Sequence, residues 1–218
     1  MSVNDDRVTT AREAPVTAAV SPIADPAPLG LAAFALTTFL LSAANAGWMT
    51  KATGSSWLGY AFAYGGIAQL LAGMWEFRNK NVFGATAFGS YGAFWIGLGL
   101  WVRFVQDAAP PAGVLRAVYA AQTVKDLGWI LLAFAIFNTY MLLMSTQVNA
   151  AIFGVFLTLE ATEVVLFIGF FTGNANVIKA GGYVGVLTAL VAWYGSAAGV
   201  ANGLPGRLRL PVGRPLIS

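Results

Sequence analysis

Apolar residues run along this chain in six long stretches separated by short polar breaks. They cover residues 29–48, 57–75, 81–102, 127–148, 150–171 and 180 to about 200. A helix needs about 20 apolar residues to cross the hydrocarbon core of a bilayer, and each stretch has about that length. None shows the sustained alternation of a barrel strand, so each is predicted as a helix. Residues 78–80 and 145–149 form short breaks. The link 107–124 is longer, carries Pro110-Pro111 and has room for a short surface helix. No link can hold a soluble domain. The expected organisation is a flexible N-terminal tail over 1–24, a six-helix transmembrane domain over 25–203 and a C-terminal tail over 204–218.

Composition fits this picture. Of 218 residues, 58% are hydrophobic and only 10% charged, against about 25% charged in soluble domains. Mean hydropathy is +0.70. The net charge of +3 comes without a basic run suited to nucleic acid. Cysteine and histidine are absent, which removes thiol chemistry and the commonest proton relay and metal ligand. No phosphate loop, metal cluster or catalytic triad is visible, so neither an enzyme nor a resident cofactor is expected. Six spans put both termini on one side. Seven basic residues fall there (Arg7, Arg12, Arg78, Lys80, Arg207, Arg209, Arg214) against five opposite, which favours cytoplasmic termini by a narrow margin.

Several positions stand out within the spans. Asp25-Pro26-Ala27-Pro28-Leu29-Gly30 opens the first. It reads as a helix start, with Asp as cap and proline in the first turn. It also reads as a substrate entrance, because helix N-termini offer unpaired amides to anions. Phe34, Thr38, Leu41 and Asn45 share one face, which should point inward because a lipid-facing Asn is costly. Gln69, Gly73 and Glu76 share a face in the second span, where Glu76 is either a gate or a charge reaching headgroups or loop. Thr38, Asn45, Gln69 and Glu76 are the candidate pore-lining polar groups. Tyr91, Phe94, Trp95 and Leu98 make an aromatic stripe in the third span, a pattern most often seen in cores.

Glu160 and Glu163 lie three residues apart on one face of an otherwise apolar span. Each charge at mid-membrane costs about 2.5–3.5 kcal/mol on insertion scales. They are either a polar contact between helices or subunits, or the place where a coupling proton is taken up. Glycines crowd the third span (Gly84, Gly89, Gly92, Gly97, Gly99) and the sixth (Gly181, Gly182, Gly185, Gly195, Gly199). They allow close helix approach, within one bundle or between subunits.

The motifs resemble those of the acetate uptake (succinate–acetate) transporter family. Asp25-Pro26-Ala27-Pro28-Leu29-Gly30-Leu31 differs by one residue from that family's Asn-Pro-Ala-Pro-Leu-Gly-Leu signature. Tyr64-Gly65-Gly66-Ile67-Ala68-Gln69, Ala72-Gly73, Glu76, Thr86-Ala87-Phe88, Ser90-Tyr91-Gly92, Phe94-Trp95 and Gly173-Asn174 follow in order. The resemblance implies six transmembrane helices around a pore, a homo-hexamer in the plasma membrane, and passage of acetate or another small carboxylate, channel-like or with protons. It further implies a hydrophobic constriction of Phe34, Tyr91 and Leu159. Two departures accompany it: acidic Asp25 stands where the family has Asn, and Glu160 and Glu163 stand where it has apolar or hydroxyl residues. Rival readings keep the fold for ammonia, ammonium or another small solute, or make the chain a non-transporting membrane subunit.

Overall fold

The computed structural model describes residues 23–50 and 55–217, so nearly all of the expected tail over 1–24 lies outside the described residues. Their regular elements are all helices, with no strand among the described residues. Helix α1 spans Ala27–Asn45. Helix α2 (Leu58–Phe62), a π-helical segment (Ala63–Ala68) and α3 (Gln69–Arg78) follow one another without a break. Helix α4 (Val82–Trp101) likewise runs into a π segment, Val102–Gln106. Helices α5 (Arg116–Ser145), α6 (Ala150–Thr172) and α7 (Ala175–Gly203) complete the bundle.

By length and apolarity α1, α5, α6 and α7 can each cross a membrane. In the second span, π segment and glycines divide the helix into short pieces. Helix α4 has 20 uncharged residues, but its Gly, Ser, Tyr and Trp content dilutes its hydropathy.

Caps explain the boundaries. The Asn81 side chain accepts from Gly84 N (3.0 Å) at the start of α4, and that of Asn149 from Ile152 N (2.9 Å) at the start of α6. Asn174 accepts from Asn176 N and Val177 N to open α7. Gly173 closes α6 with φ +63°, a left-handed conformation that costs glycine little.

Two expectations are corrected. The link 107–124 does not hold a separate short helix: α5 begins at Arg116 and continues through Lys125 and Asp126. Charges at the end of a spanning helix project past the apolar slab, so the backbone needs no break there. Tyr119 Oη donates to Val105 O (2.6 Å), tying this extension to the end of the preceding helix. Helix α7 likewise begins five residues before its apolar run, at the Asn174 cap.

The neighbour order follows the packing. Helix α7 lies between α1 and α6, α5 beside α6, and α3 between α1 and α4. Nine of the ten glycines in the third and sixth spans meet neighbours inside the chain; a methyl on Gly182 would strike the backbone N of Ala46, and one on Gly92 would lie 2.6 Å from Leu70 N. Only Gly97 has open space around it.

The segment after α7 is pinned to the bundle. Ala151 N donates to Val212 O (2.9 Å), Leu216 N to Thr146 O (2.7 Å), and Tyr194 Oη to Pro211 O. One guanidinium nitrogen of Arg209 points at the carbonyls of Ala201, Leu204, Gly206 and Leu208, and so caps the C-terminal end of α7.

Candidate functional site

Two cavities open at opposite ends of α1. The first, of about 480 Å³, is lined by Asp25, Pro28 and Leu31 together with Asn81, Asn149 and Asn202 from other helix ends. The second, of about 450 Å³, is lined by Leu41 and Asn45 with Trp57, Asp107, Thr123 and Phe170. Along α1, Phe34 lies between Leu31 and Leu41, and hence between the two cavities.

At that level the core is closed by aromatic and aliphatic side chains. Phe34 and Tyr91 pack edge to face with ring centroids 5.7 Å apart. Tyr91 also meets Phe94, Phe134 and Phe137. Leu159 is buried in the same cluster. Of the three residues expected at a constriction, Phe34 and Tyr91 are in contact and Leu159 belongs to the same buried core.

The entrance stretch is split by its geometry. Asp25, Ala27 and Pro28 line the first cavity, whereas Leu29 faces outward and Gly30 is buried. A Cβ on Gly30 would lie 2.7 Å from the Phe88 ring, so close packing demands glycine there. The N-cap residue is Pro26 rather than the expected Asp25, which stands one residue further out; Asp25 Oδ1 nevertheless accepts from Ala27 N (3.0 Å). Pro26 and Pro28 bring no N–H, and Gly30 N already donates to Pro26 O (3.1 Å). Of the first-turn amides only that of Leu29 stands outside these bonds, a much smaller donor set than a plain helix start presents.

The pore-lining candidates divide. Asn45 lines the second cavity. Thr38, Gln69 and Glu76 are buried, with Thr38 Oγ1, Gln69 Oε1 and Glu76 Oε1 each lacking a hydrogen-bond partner. Glu76 is 0% exposed and so does not reach toward headgroups. Its Oε2 accepts from Asn79 Nδ2 (3.1 Å) in the following turn, and Gly84 leaves room for its carboxyl.

The acidic pair joins α4, α5 and α6. Tyr91 Oη lies 3.1 Å from Asn138 Oδ1 and 3.2 Å from Glu163 Oε1. Asn138 Nδ2 donates to Phe156 O (3.0 Å) and to Glu160 Oε2 (2.7 Å). Thr139 Oγ1 donates to Glu160 Oε1 (2.9 Å). Glu163 is 3% exposed and its Oε2 has no partner. Asn138, fully buried, sits at the centre of this cluster, and the sequence reading missed it. The signal was present: an amide inside an apolar span is as costly there as at Asn45. Among the described residues no group of acidic side chains is placed to hold a metal.

Comparison with known proteins agrees with this architecture. The model of the GPR1/FUN34/yaaH family matches residues 10–213. Acetate permease A of Emericella nidulans is 40% identical over 199 residues, covering 87% of this chain and 65% of that protein. The chain therefore spans just under two thirds of the length of that fungal relative. The succinate-acetate/proton symporter SatP of Escherichia coli (strain K12) is 35% identical over 191 residues, 88% of this chain and 96% of its own. The solved structure of the bacterial acetate channel SatP superposes with a TM-score of 0.75 at 34% identity, covering 88% of this chain and 99% of that one.

Proposed function

This chain belongs to the GPR1/FUN34/yaaH family, and from that membership we propose that it carries acetate and related small carboxylates across a membrane, coupled to protons. The observation that carries the reading is the pair of cavities at the two ends of α1, with Phe34, Tyr91 and Leu159 closing the core between them. That layout and the transporters among the relatives support transport rather than catalysis.

Acetate brings one methyl group and one negative charge. The methyl suits a collar of Phe34 and Leu159. A bare anion meets that collar and two carboxylates beyond it, so passage is easiest for the neutral acid or for an anion accompanied by a proton. Asp25 at the first cavity works in the same direction, because its charge and its hold on the Ala27 amide make that mouth a weak anion trap. The constriction is Phe34, Tyr91 and Leu159; the pore-lining polar groups are Thr38, Asn45, Gln69 and Glu76; the coupling proton belongs to the Glu160–Glu163 pair.

In this reading the domain is residues 25–203, crossing the membrane six times with the two helices interrupted by π segments included. The protomers form a homo-hexamer in the plasma membrane, with both termini cytoplasmic. The relatives named for acetate transport support the solute, and the symporter among them supports the proton.

The test is radiolabelled acetate uptake by the purified full chain in proteoliposomes, with succinate and ammonium as competitors. Uptake above that of protein-free liposomes, reduced by succinate and untouched by ammonium, is expected. Uptake equal to protein-free liposomes defeats the proposal. Competition by ammonium alone reassigns the path to ammonia or ammonium.

A further inference from the structure

The cluster between α4, α5 and α6 can be checked hydrogen by hydrogen. Asn138 has two amide hydrogens and two acceptors for them, Phe156 O and Glu160 Oε2. Its orientation is thereby set, and Oδ1 must face Tyr91. Tyr91 has one hydroxyl hydrogen but two oxygens in range, Asn138 Oδ1 and Glu163 Oε1. With Glu163 ionised, one of those two contacts brings oxygen to oxygen with nothing between. Glu163 Oε2 has no partner either. The cluster is one hydrogen short.

We infer that this cluster binds one proton, that Glu163 rather than Glu160 carries it, and that the Tyr91 hydroxyl reads its presence. The inference rests on the transport reading above. With the proton on Glu163 Oε1, that oxygen donates to Tyr91 Oη, Tyr91 donates to Asn138 Oδ1, and Asn138 donates to Glu160. Every hydrogen then has an acceptor. When the proton leaves, to water or to the carboxylate of the solute, Tyr91 turns its hydrogen to Glu163 and Asn138 Oδ1 loses its donor. No covalent bond other than O–H is made or broken.

Glu160 differs from its neighbour. Both of its oxygens accept hydrogen bonds, from Asn138 and Thr139, and it is only partly buried. It needs no proton to complete its bonding. The titratable groups that act on Glu163 are Tyr91 from α4 and Glu160 from its own helix, while Tyr140 of α5 acts on Tyr91. Asn138 and Thr139 from α5 are neutral, as are Thr188 of α7, which pairs with Thr162, and Phe34 of α1, which packs on Tyr91. Leu159, one turn before Glu163, belongs to the same buried core as Phe34 and Tyr91. A proton on Glu163 therefore acts directly on the constriction.

The experiment is an infrared pH titration of the purified full chain, with acetate uptake measured over the same pH range. The native protein should show a protonated carboxylic-acid carbonyl band that comes and goes with pH. That band should vanish in Glu163→Gln and persist in Glu160→Gln. Native uptake should change by up to about tenfold per pH unit, the slope of a one-proton requirement. Glu163→Gln, which donates permanently to Tyr91, should flatten this to less than about twofold, whereas Glu160→Gln keeps the slope at a lower rate. A band that survives in Glu163→Gln, or a native pH slope in that variant, overturns the inference. If the native protein carries no acetate, the transport reading fails and the infrared band alone decides the proton site.

Discussion

Where α1 meets α7, glycines of one helix press on the backbone and short side chains of the other. Where α4 meets α5 and α6, side chains meet side chains. On the first seam Gly182 lies against the Asn45–Ala46 peptide, Gly199 admits the Pro28 ring, and Ser196 Oγ donates to Pro28 O (2.7 Å). At Gly182 nothing can be added and no rotamer can relieve the fit, because the opposing atoms are main chain. On the second seam Tyr91, Phe94, Phe134 and Phe137 interlock around an amide and two carboxylates. That side can change by a hydroxyl rotation and one proton. The contrast separates a frame from a proposed site: α1 and α7 hold residues 25–30 in place, and the α4–α5–α6 side carries the proposed proton site.

The frame is broken most severely by Gly182→Ala. Its Cβ would collide with the Ala46 backbone, and overpacking of this kind costs about 3 kcal/mol. The expected outcome is a large fall in thermal midpoint in detergent. A normal midpoint would mean that α1 and α7 can part.

Next in size is Asn138→Leu on the opposite side. It strips the hydrogen-bond partner from Tyr91 and one from Glu160, at about 2 kcal/mol. Stability should fall less than with Gly182→Ala while the pH response of uptake is lost. That split would confirm that the second seam serves function more than support.

Tyr194→Phe removes the bond to Pro211 that fastens the segment after α7, at about 1 kcal/mol. Carboxypeptidase digestion should advance further into that segment, with acetate uptake unchanged. Smallest of all is Gly97→Ala. The residue meets nothing within 4 Å, and alanine favours the helix by up to about 1 kcal/mol. Stabilisation is expected in the isolated protomer. A loss of oligomer on size exclusion would place this face of α4 at a subunit interface.

Much of the frame was legible beforehand because it rests on patterns that repeat. Six apolar runs map onto the helical segments, and the proline-rich start marks the edge of the first, whereas the caps Asn81, Asn149 and Asn174 were not read. Helix length was not legible where it exceeded the apolar run, as in α5, because hydropathy reports the slab and not the backbone. The π segments left no sequence signal beyond Gly65 and Gly66, since one extra residue per turn is a property of backbone hydrogen bonding. In the site, Phe34 and Tyr91 could be placed together through motif blocks, and Glu160 and Glu163 stood out through their cost. What could not be read was which carboxylate is satisfied. That depends on Asn138, 22 residues upstream of Glu160, and on the orientation of one amide.

The most direct test of the account is acetate movement with equal concentrations inside and outside proteoliposomes and a pH gradient imposed across them. The account predicts accumulation on the alkaline side, faster than in protein-free liposomes and lost in its pH dependence when Glu163 is replaced by Gln. Accumulation no faster than in protein-free liposomes, or a gradient response that Glu163→Gln leaves intact, would contradict it.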